Sequence, residues 1–243
     1  MTSLLTLENL SKRYPRGAHA SRERIALRDV SLEIAPGEFV AVWGRRRSGR
    51  TTLLEVCAGL EKPTEGAVRF AGDDLSARRM IGKPEGIGFA QPHFSRMHGV
   101  VVEQVATPML KTRARVENAQ IRAYELLDRM GVASCAEMTP DDLEPSELVR
   151  VMLARALMMQ PRLVLLDAPT SGVPAPERDA IFSLLRSLTR DADLAVLMTV
   201  DEVPGLAAVT DRLLAIGGGE LRGATSPAEP AAVLPLRRTE PSA

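Results

Sequence analysis

The residues with the clearest chemical potential lie between positions 44 and 52, where two glycines are separated by four residues. Gly44 and Gly49 fit the spacing G-x-x-x-x-G-K-[ST], and Thr51 supplies the final hydroxyl. Such glycines let backbone N–H groups converge on phosphate oxygens, and a following helix adds partial positive charge at its N-terminus. The pattern predicts a phosphate-binding loop, although Arg50 stands where the pattern has lysine. The alternative is a glycine-rich strand-to-helix turn beside an arginine-rich surface loop. The residues of the predicted loop are Gly44, Arg45, Arg46, Arg47, Ser48, Gly49, Arg50, Thr51 and Thr52.

A second candidate element of a phosphate site is an acidic residue that follows a short apolar run later in the chain. Residues 163–166 are all apolar, as is typical of a buried strand, and Asp167 comes directly after them. A carboxylate at that point could hold magnesium and its waters near a phosphate loop. Taken alone, the run is more often an ordinary core strand with a polar end. Its combination with the upstream loop favours a phosphate site.

The elements around these residues predict an α/β core. Residues 38–43, which are apolar from Phe39 onwards, suit a buried parallel strand, and helical spacing of apolar residues follows the loop. Ser146 is predicted to cap a helix that Pro161 ends. Residues 15–24 are predicted to form an exposed loop. Further strands are predicted at 4–10, 30–34, 67–71, 87–90, 163–166 and 194–198 with a closing hairpin at 213–221, and further helices at 116–130 and 181–188.

The predicted elements divide the chain into a core, an inserted lobe and a tail. From about residue 92 the strand signals stop and helical spacing takes over. We expect a core formed by 1–91 and 151–224, a helical lobe over 92–150, and a flexible tail over 225–243, where proline, alanine and charged residues are frequent.

Composition narrows the function classes. The 243 residues are 45% apolar, and 31 basic residues balance 31 acidic ones, which argues against a nucleic-acid partner. Cys57 and Cys135 have no metal-ligand or disulfide spacing. No signal-peptide pattern opens the chain, and no apolar run reaches the roughly 18 residues of a membrane span. We therefore expect a soluble, cytosolic chain whose membrane role, if it has one, comes through a partner.

From about residue 4 to 224, the chain resembles the ATP-binding subunits of ABC transporters. The order of the matching parts is the specific feature, and residues 101–110 look most like the branch that serves lipoprotein-release, macrolide-efflux and cell-division permeases. The matching parts are Tyr14 at the aromatic position that stacks on adenine, 44–52 at the phosphate loop, Gln91 at the glutamine that touches magnesium, 143–147 at the L-S-G-G-Q/E signature, 163–170 at the second phosphate motif, and 171–174 at the interface loop.

The resemblance implies a P-loop NTPase fold, with a mixed sheet flanked by helices, an inserted helical lobe and an N-terminal antiparallel β part. It implies ATP and Mg²⁺ as cofactors, with Thr51, Gln91 and Asp167 at the metal. The implied partners are a membrane permease subunit and a second ABC ATPase subunit, which places the chain at the inner face of the cell membrane. In this family, ATP lies between the phosphate loop of one subunit and the signature of the other.

Several positions depart from the family pattern. Arg50 replaces the phosphate lysine, and a planar guanidinium is not equivalent to a compact ammonium in a tight loop. Ala168 stands at the catalytic glutamate and Val200 at the γ-phosphate-sensing histidine, and neither side chain can hydrogen-bond. The signature here is Leu143, Glu144, Pro145, Ser146 and Glu147, with a carboxylate at the serine position and a proline that has no N–H.

These departures predict weak or absent hydrolysis by this subunit. Since a homodimer would then lack every catalytic group, a heterodimer with a competent ATPase is favoured over a homodimer. Two alternatives remain open: an active ATPase with unusual residues, and a non-transport regulator that uses the fold for interaction. Glu202 could replace the lost carboxylate in the first alternative, although it belongs to a different loop.

Overall fold

The computed structural model of the chain describes residues 3–15, 23–76, 84–90, 99–112, 115–192 and 194–225. Strands and helices alternate over most of this length, as the sequence predicts for an α/β protein. The strands are β1 (Leu5–Pro15), β2 (Glu23–Ile34), β3 (Phe39–Gly44), β4 (Glu65–Phe70), β5 (Asp73–Asp74), β6 (Ile87–Ala90), β7 (Leu163–Leu166), β8 (Ala195–Val200), β9 (Arg212–Gly217) and β10 (Glu220–Thr225). The helices are α1 (Arg50–Cys57), α2 (Val101–Leu110), α3 (Val116–Arg129), α4 (Pro145–Leu157) and α5 (Ala175–Ala192).

The larger sheet of the described chain has six strands in the order β10-β9-β3-β8-β7-β6. Strand β3 runs parallel to β8 and β9, β7 runs parallel to β6 and β8, and β10 returns antiparallel to β9. The carboxyl ends of β3, β7 and β8 therefore meet at one edge, where ligands of open α/β sheets bind. The residues that follow these three strands begin at Arg45, Asp167 and Asp201.

A second, antiparallel sheet has the strand order β2-β1-β4-β5 among the described residues. Its first two strands are longer than the sequence suggested, because β1 extends to Pro15 and β2 begins at Glu23 rather than near residue 30. Tyr14 pairs with Arg24 across these strands. The prediction of an exposed loop over 15–24 is therefore wrong at both of its ends, and residues 16–22 lie outside the described residues.

Two apolar cores cover the two faces of the larger sheet. Along β3, Phe39 and Ala41 point into the core shared with α2 to α5, whereas Val40 and Val42 point into the core shared with α1 and the antiparallel sheet. This alternation follows from the two-residue period of a strand. A strand buried on both faces must be apolar throughout, which explains why β3 shows no polar alternation in the sequence.

Helix α4 begins at Pro145, and its N-cap is Glu144 rather than the predicted Ser146. The residue before a proline is pushed towards extended backbone, and Glu144 has φ −66° and ψ 153°. Proline suits the first helical position, since its missing N–H would have had no partner there. Glu144 and Glu147 form a capping box, in which the Glu144 backbone N–H donates to the Glu147 carboxylate at 3.0 Å.

The described helices include none that is both long and apolar enough to cross a lipid bilayer.

Candidate functional site

The loop between β3 and α1 requires both of its glycines. Gly49 has φ of 111°, and a Cβ there would lie 2.3 Å from the carbonyl oxygen of Ala26. A Cβ on Gly44 would lie 2.6 Å from the Cγ2 of Ile216 and 2.6 Å from the Oγ of Ser48. Any side chain at either position would displace backbone or packed neighbours. The loop is therefore a tight strand-to-helix turn of the kind that directs backbone N–H groups towards an anion.

Polar groups of this loop are left available to a ligand. Ser48 is 8% exposed, and its Oγ has no hydrogen-bond partner in the part of the chain that the structure describes. A buried hydroxyl without a partner is costly unless a ligand or water satisfies it. Arg45, Arg46 and Arg47 are exposed and form no ion pair with the other described residues. The loop thus combines an unsatisfied hydroxyl with three available positive charges, which suits phosphate oxygens.

Asp167 is held by hydroxyl groups from two different elements. Thr51, at the start of α1, donates to Asp167 Oδ2 at 2.8 Å, and Thr199, near the end of β8, donates to Oδ1 at 2.8 Å. The Thr199 hydroxyl also accepts a hydrogen bond from the backbone N–H of Ala168 at 2.9 Å. Asp167 is 8% exposed and has no ion pair with another described residue. Its charge is therefore oriented but not neutralised by a cationic side chain.

The arrangement around Asp167 fits magnesium better than a metal held by protein ligands alone. The described residues contain no group of three or more His, Cys, Asp or Glu side chains that could hold a metal ion. Mg²⁺ usually keeps several waters and binds through one or two carboxylates together with substrate phosphates. Thr51 and Asp167 supply such a partial set beside the phosphate loop.

The side chain of Arg50 is engaged by residues at the end of β8. Its Nη1 donates to the carbonyl oxygen of Val200 at 2.5 Å, and its Nη2 lies 2.5 Å from Oδ1 of Asp201. Only 11% of the Arg50 side chain is exposed. The guanidinium therefore links the start of α1 to the end of β8. Two of the departures predicted from sequence, Arg50 and Val200, consequently lie in direct contact.

A cavity of about 570 Å³ lies beside the loop. Tyr14 forms part of its wall, with Lys12 Nζ 4.9 Å and Arg24 Cζ 5.4 Å from the centre of the tyrosine ring. The cavity is large enough for a small-molecule ligand. It combines an aromatic surface with a predominantly positive lining. The lining residues are Tyr14, Arg24, Ile25, Ala26, Arg46, Arg47, Gly49, Arg50, Thr51, Thr52 and Glu55.

A family profile described as "ABC transporter" matches residues 27–171, which is more than half of the chain. The chain belongs to the ABC transporter family. The matched segment contains the phosphate loop, the helices α2 to α4 and Asp167. The chain is thus an ATP-binding subunit of the ABC type, and the resemblance found in its sequence is confirmed.

Relatives and solved structures support the same assignment. The lipoprotein-releasing system ATP-binding protein LolD of Pseudomonas syringae pv. tomato is 35% identical over 224 residues, covering 90% of this chain and 97% of LolD. The macrolide export ATP-binding/permease protein MacB of Salmonella choleraesuis is 33% identical over 228 residues, covering 91% of this chain but only 34% of MacB. The ABC cassette therefore spans about a third of MacB's length.

Among solved structures, the ATP-binding cassette MJ0796, in a dimeric post-hydrolysis state bound to ADP and Pi, superposes with a TM-score of 0.82. Its sequence identity is 26%, and the match covers 93% of this chain and 99% of that one. The cassette MJ1267 shares the fold with a TM-score of 0.78 at 20% identity. The predicted P-loop NTPase fold is therefore confirmed.

The structure brings some of the predicted ABC site residues together and separates others. Thr51, Asp167 and the phosphate loop meet at one edge of the sheet, and Tyr14 lines one cavity together with Thr51 and part of the loop. Glu144 and Pro145 are exposed at the start of α4, with Leu143, Ser146 and Glu147 half-buried beside them. Gln91 lies outside the described residues.

Sequence reasoning missed Thr199 as an Asp167 partner and Asp201 as the Arg50 partner. Thr199 lies near the end of β8 and Asp201 follows it, and the carboxyl ends of parallel strands meet at one sheet edge. That rule would have found them had the neighbours of β3 in the sheet been known. Glu202, considered as a replacement carboxylate, instead forms an ion pair with Arg178 of α5 at 2.5 Å.

Proposed function

We propose that this ABC subunit binds Mg²⁺–ATP but hydrolyses it weakly or not at all, and that it couples nucleotide binding to a membrane permease. The observation that carries the proposal is the contrast between the Asp167 and Arg50 side chains at one sheet edge. Thr51 and Asp167 keep a hydrogen-bonded arrangement suited to magnesium, while Arg50 is engaged by Asp201 and Val200. The arrangement favours nucleotide binding over turnover.

Nucleotide binding is supported by the chemistry of the cavity. Phosphates would lie against the backbone of 44–52 and the free guanidinium groups of Arg46 and Arg47, with the Ser48 hydroxyl as a further partner. Adenine would stack near Tyr14. Thr51 and Asp167, with Gln91 as in the family, would hold Mg²⁺, which supplies positive charge that neutralises the phosphates. MJ0796, a related cassette of 26% identity, has been solved with ADP and Pi.

Weak hydrolysis is supported by two side chains at the carboxyl ends of β7 and β8. The Ala168 methyl group cannot polarise water, and Val200 offers no hydrogen-bonding side chain. Val200 is only 2% exposed and packs in the apolar core. Losing a general base typically costs about 10²- to 10⁴-fold in rate. The alternative of an active ATPase would need another base, and Glu202 is already paired with Arg178.

A permease partner and a peripheral location at the cytoplasmic face of the membrane are supported by the relatives. LolD is named as part of a lipoprotein-releasing system, and MacB joins an ATP-binding part and a permease in one name. We expect the permease to contact the helical lobe, including Gln91 and 92–110. Large apolar side chains are exposed at the end of α2 and along α3, which favours a protein contact there. They are Leu110, Val116, Ile121 and Tyr124.

A heterodimer with a competent ATPase subunit is the pairing that we propose. In a homodimer, both sites would face Ala168, Val200 and the altered signature. Glu144 lies exposed at the N-terminus of α4, where the helix dipole would otherwise favour the phosphate of a facing subunit. A carboxylate in that place disfavours a second anion, which predicts slow hydrolysis in the heterodimer as well.

The proposal is tested by measuring steady-state ATPase activity of the purified chain together with ATP binding by calorimetry. We expect micromolar-range or weaker binding without turnover above that of a matched preparation of the Asp167→Asn variant. Turnover comparable to an ordinary ABC ATPase, absent from that variant, would support the active-enzyme alternative instead.

The partners are tested by affinity purification from detergent-solubilised membranes. We expect a permease and a second ABC ATPase subunit to copurify. Charge reversal at exposed positions of 99–112 should release the permease without unfolding the chain. Recovery of the chain without any permease would favour the regulator that acts outside transport.

A further inference from the structure

Arg50 is the point at which the phosphate loop is tied to β8. Its guanidinium bridges the Val200 carbonyl and the Asp201 carboxylate, both at 2.5 Å. The Trp43 indole N–H donates to the carbonyl oxygen of Asp201 at 3.0 Å, so the end of β8 is held from β3 as well. The side chain of Asp201 is 37% exposed, and among the described residues its only ion pair is the one with Arg50. Arg50 is thus the cation that neutralises it.

We propose that Asp201 competes with nucleotide phosphates for Arg50 and thereby determines how strongly the site distinguishes nucleotides by the number of their phosphates. This inference rests on the proposed function, since it concerns the same nucleotide site. Arg50 occupies the position whose basic side chain reaches β- and γ-phosphates in a phosphate loop. While Asp201 holds the guanidinium, that charge is not available to a ligand.

The other charges near this position do not replace Asp201 in the competition. Asp167 accepts from Thr51 and Thr199, and Glu202 is paired with Arg178. Glu55, which lines the cavity, is engaged within the protein. Arg46 and Arg47 remain exposed in the loop, so they can attract any phosphate without breaking an ion pair. The Arg50–Asp201 pair therefore bears on the phosphates nearest the start of α1, and not on binding in general.

Competition implies a reciprocal effect on the end of β8. A ligand that captures Arg50 removes the side-chain donor from the Val200 carbonyl and leaves Asp201 without its cation. By linkage, ATP binding should destabilise the segment after β8 by the same free energy by which Asp201 weakens ATP binding. Amide hydrogen exchange over residues 200–205 reports this effect independently of affinity.

The test compares Asp201→Asn with Glu202→Gln, which removes the neighbouring carboxylate and leaves Arg50 untouched. Affinities for AMP, ADP and ATP are measured with Mg²⁺ by calorimetry. Because a partly exposed ion pair is worth on the order of 1 kcal/mol, we expect Asp201→Asn to tighten ADP and ATP about threefold to tenfold. AMP should change little, and Glu202→Gln should leave all three affinities near those of the unmodified chain.

A second pair of variants establishes that the effect passes through Arg50. In an Arg50→Gln background, Asp201→Asn should no longer change ATP affinity, and exchange over 200–205 should already be fast without nucleotide. Equal tightening of AMP, ADP and ATP, or an undiminished effect in the Arg50→Gln background, would overturn the inference. So would an unchanged ATP affinity in Asp201→Asn. Failure of both the unmodified chain and Asp201→Asn to bind ATP would instead overturn the proposed function, and the inference with it.

Discussion

Asp167 and Asp201 follow the neighbouring parallel strands β7 and β8, and their carboxylates are engaged in different ways. Asp167 is buried and accepts two hydroxyl hydrogen bonds, but no described cationic side chain pairs with it. Asp201 is partly exposed and paired with Arg50. The first arrangement orients a negative charge and leaves it for a cation that arrives with a ligand. The second pairs with the positive charge of Arg50, which a ligand would otherwise bind.

The difference separates two tasks that a phosphate site usually performs together. In the proposed function, Mg²⁺ is held at Asp167, which keeps its hydrogen-bonding partners Thr51 and Thr199. In the same proposal, alignment and cleavage of the terminal phosphate would need the groups at Arg50, Ala168 and Val200, which depart from the family pattern. Arg50 also touches Val200, since its guanidinium donates to the backbone carbonyl oxygen of that residue. Because Arg50, Ala168 and Val200 stand at different parts of one catalytic arrangement, restoring single residues is expected to be less effective than restoring them together.

The largest expected effect comes from restoring the altered side. The triple variant Arg50→Lys, Ala168→Glu and Val200→His should raise ATP hydrolysis by about 10²- to 10⁴-fold, chiefly through the new general base. Ala168 already has φ of 43°, so a glutamate there adds no further Cβ strain. The measurement is steady-state phosphate release, with the triple variant carrying Ala168→Gln as the control. A folded, nucleotide-binding triple variant without any gain would show that another feature limits turnover.

The Asp167 side is tested by removing its charge. Asp167→Asn should weaken ATP binding in Mg²⁺ by at least about tenfold and leave binding in EDTA nearly unchanged, because the carboxylate acts through the metal. The matched variant Asp201→Asn should instead bind ATP more tightly in Mg²⁺. Binding of ATP to Asp167→Asn with its full dependence on Mg²⁺ would place the metal elsewhere.

The hydroxyls around Asp167 should differ in their contribution to stability. Thr199 is fully buried and has two partners in this network, whereas Thr51 is exposed and has one. Thr199→Val should therefore lower the free energy of unfolding by about 2–3 kcal/mol, and Thr51→Val by about 1 kcal/mol or less. Urea denaturation measures both, and Thr199→Ser, which keeps the hydroxyl, is the control. Equal losses in the two valine variants would mean that burial does not govern this network.

The smallest expected effect concerns the signature segment. Glu144→Ser should raise the ATPase rate of the heterodimer about fivefold or more, because two like charges about 4 Å apart cost at least ~1 kcal/mol. Serine also keeps an N-cap for α4, whereas Glu144→Ala should cost about 1 kcal/mol of stability. If the serine variant is no faster, Glu144 does not face the phosphate of the partner subunit, or it has acquired a positive role there.

Much of the phosphate-binding side could be predicted from sequence because its signals are local. The spacing of Gly44 and Gly49, the apolar strand before them and the carboxylate after β7 each lie within a short stretch of chain. The prediction for α4 was wrong because Ser146 was weighed as a cap without the effect of Pro145 on the residue before it. The second strand was placed too late because its first half, from Glu23, is polar and half-exposed.

The contacts of Arg50 could not be predicted in the same way. Arg50 and Asp201 are far apart in the chain and meet because β3 lies beside β8 and runs parallel to it in the sheet. Neither residue type nor local spacing reveals the order of strands. The sequence indicates only that a planar guanidinium is not equivalent to a compact ammonium in a tight loop. The structure adds that this guanidinium already has partners, which are Asp201 and the Val200 carbonyl oxygen.

The central claim is that the chain binds ATP and does not turn it over, and a single-turnover experiment tests it most directly. Radiolabelled ATP is mixed with Mg²⁺ and an excess of the purified chain, and the bound nucleotide is identified chromatographically over time. We expect intact ATP on the protein after many minutes, at a level that Asp167→Asn does not reach. Conversion of the bound ATP to ADP within seconds, at a typical enzymatic rate of about 1 s⁻¹ or faster, would contradict the account.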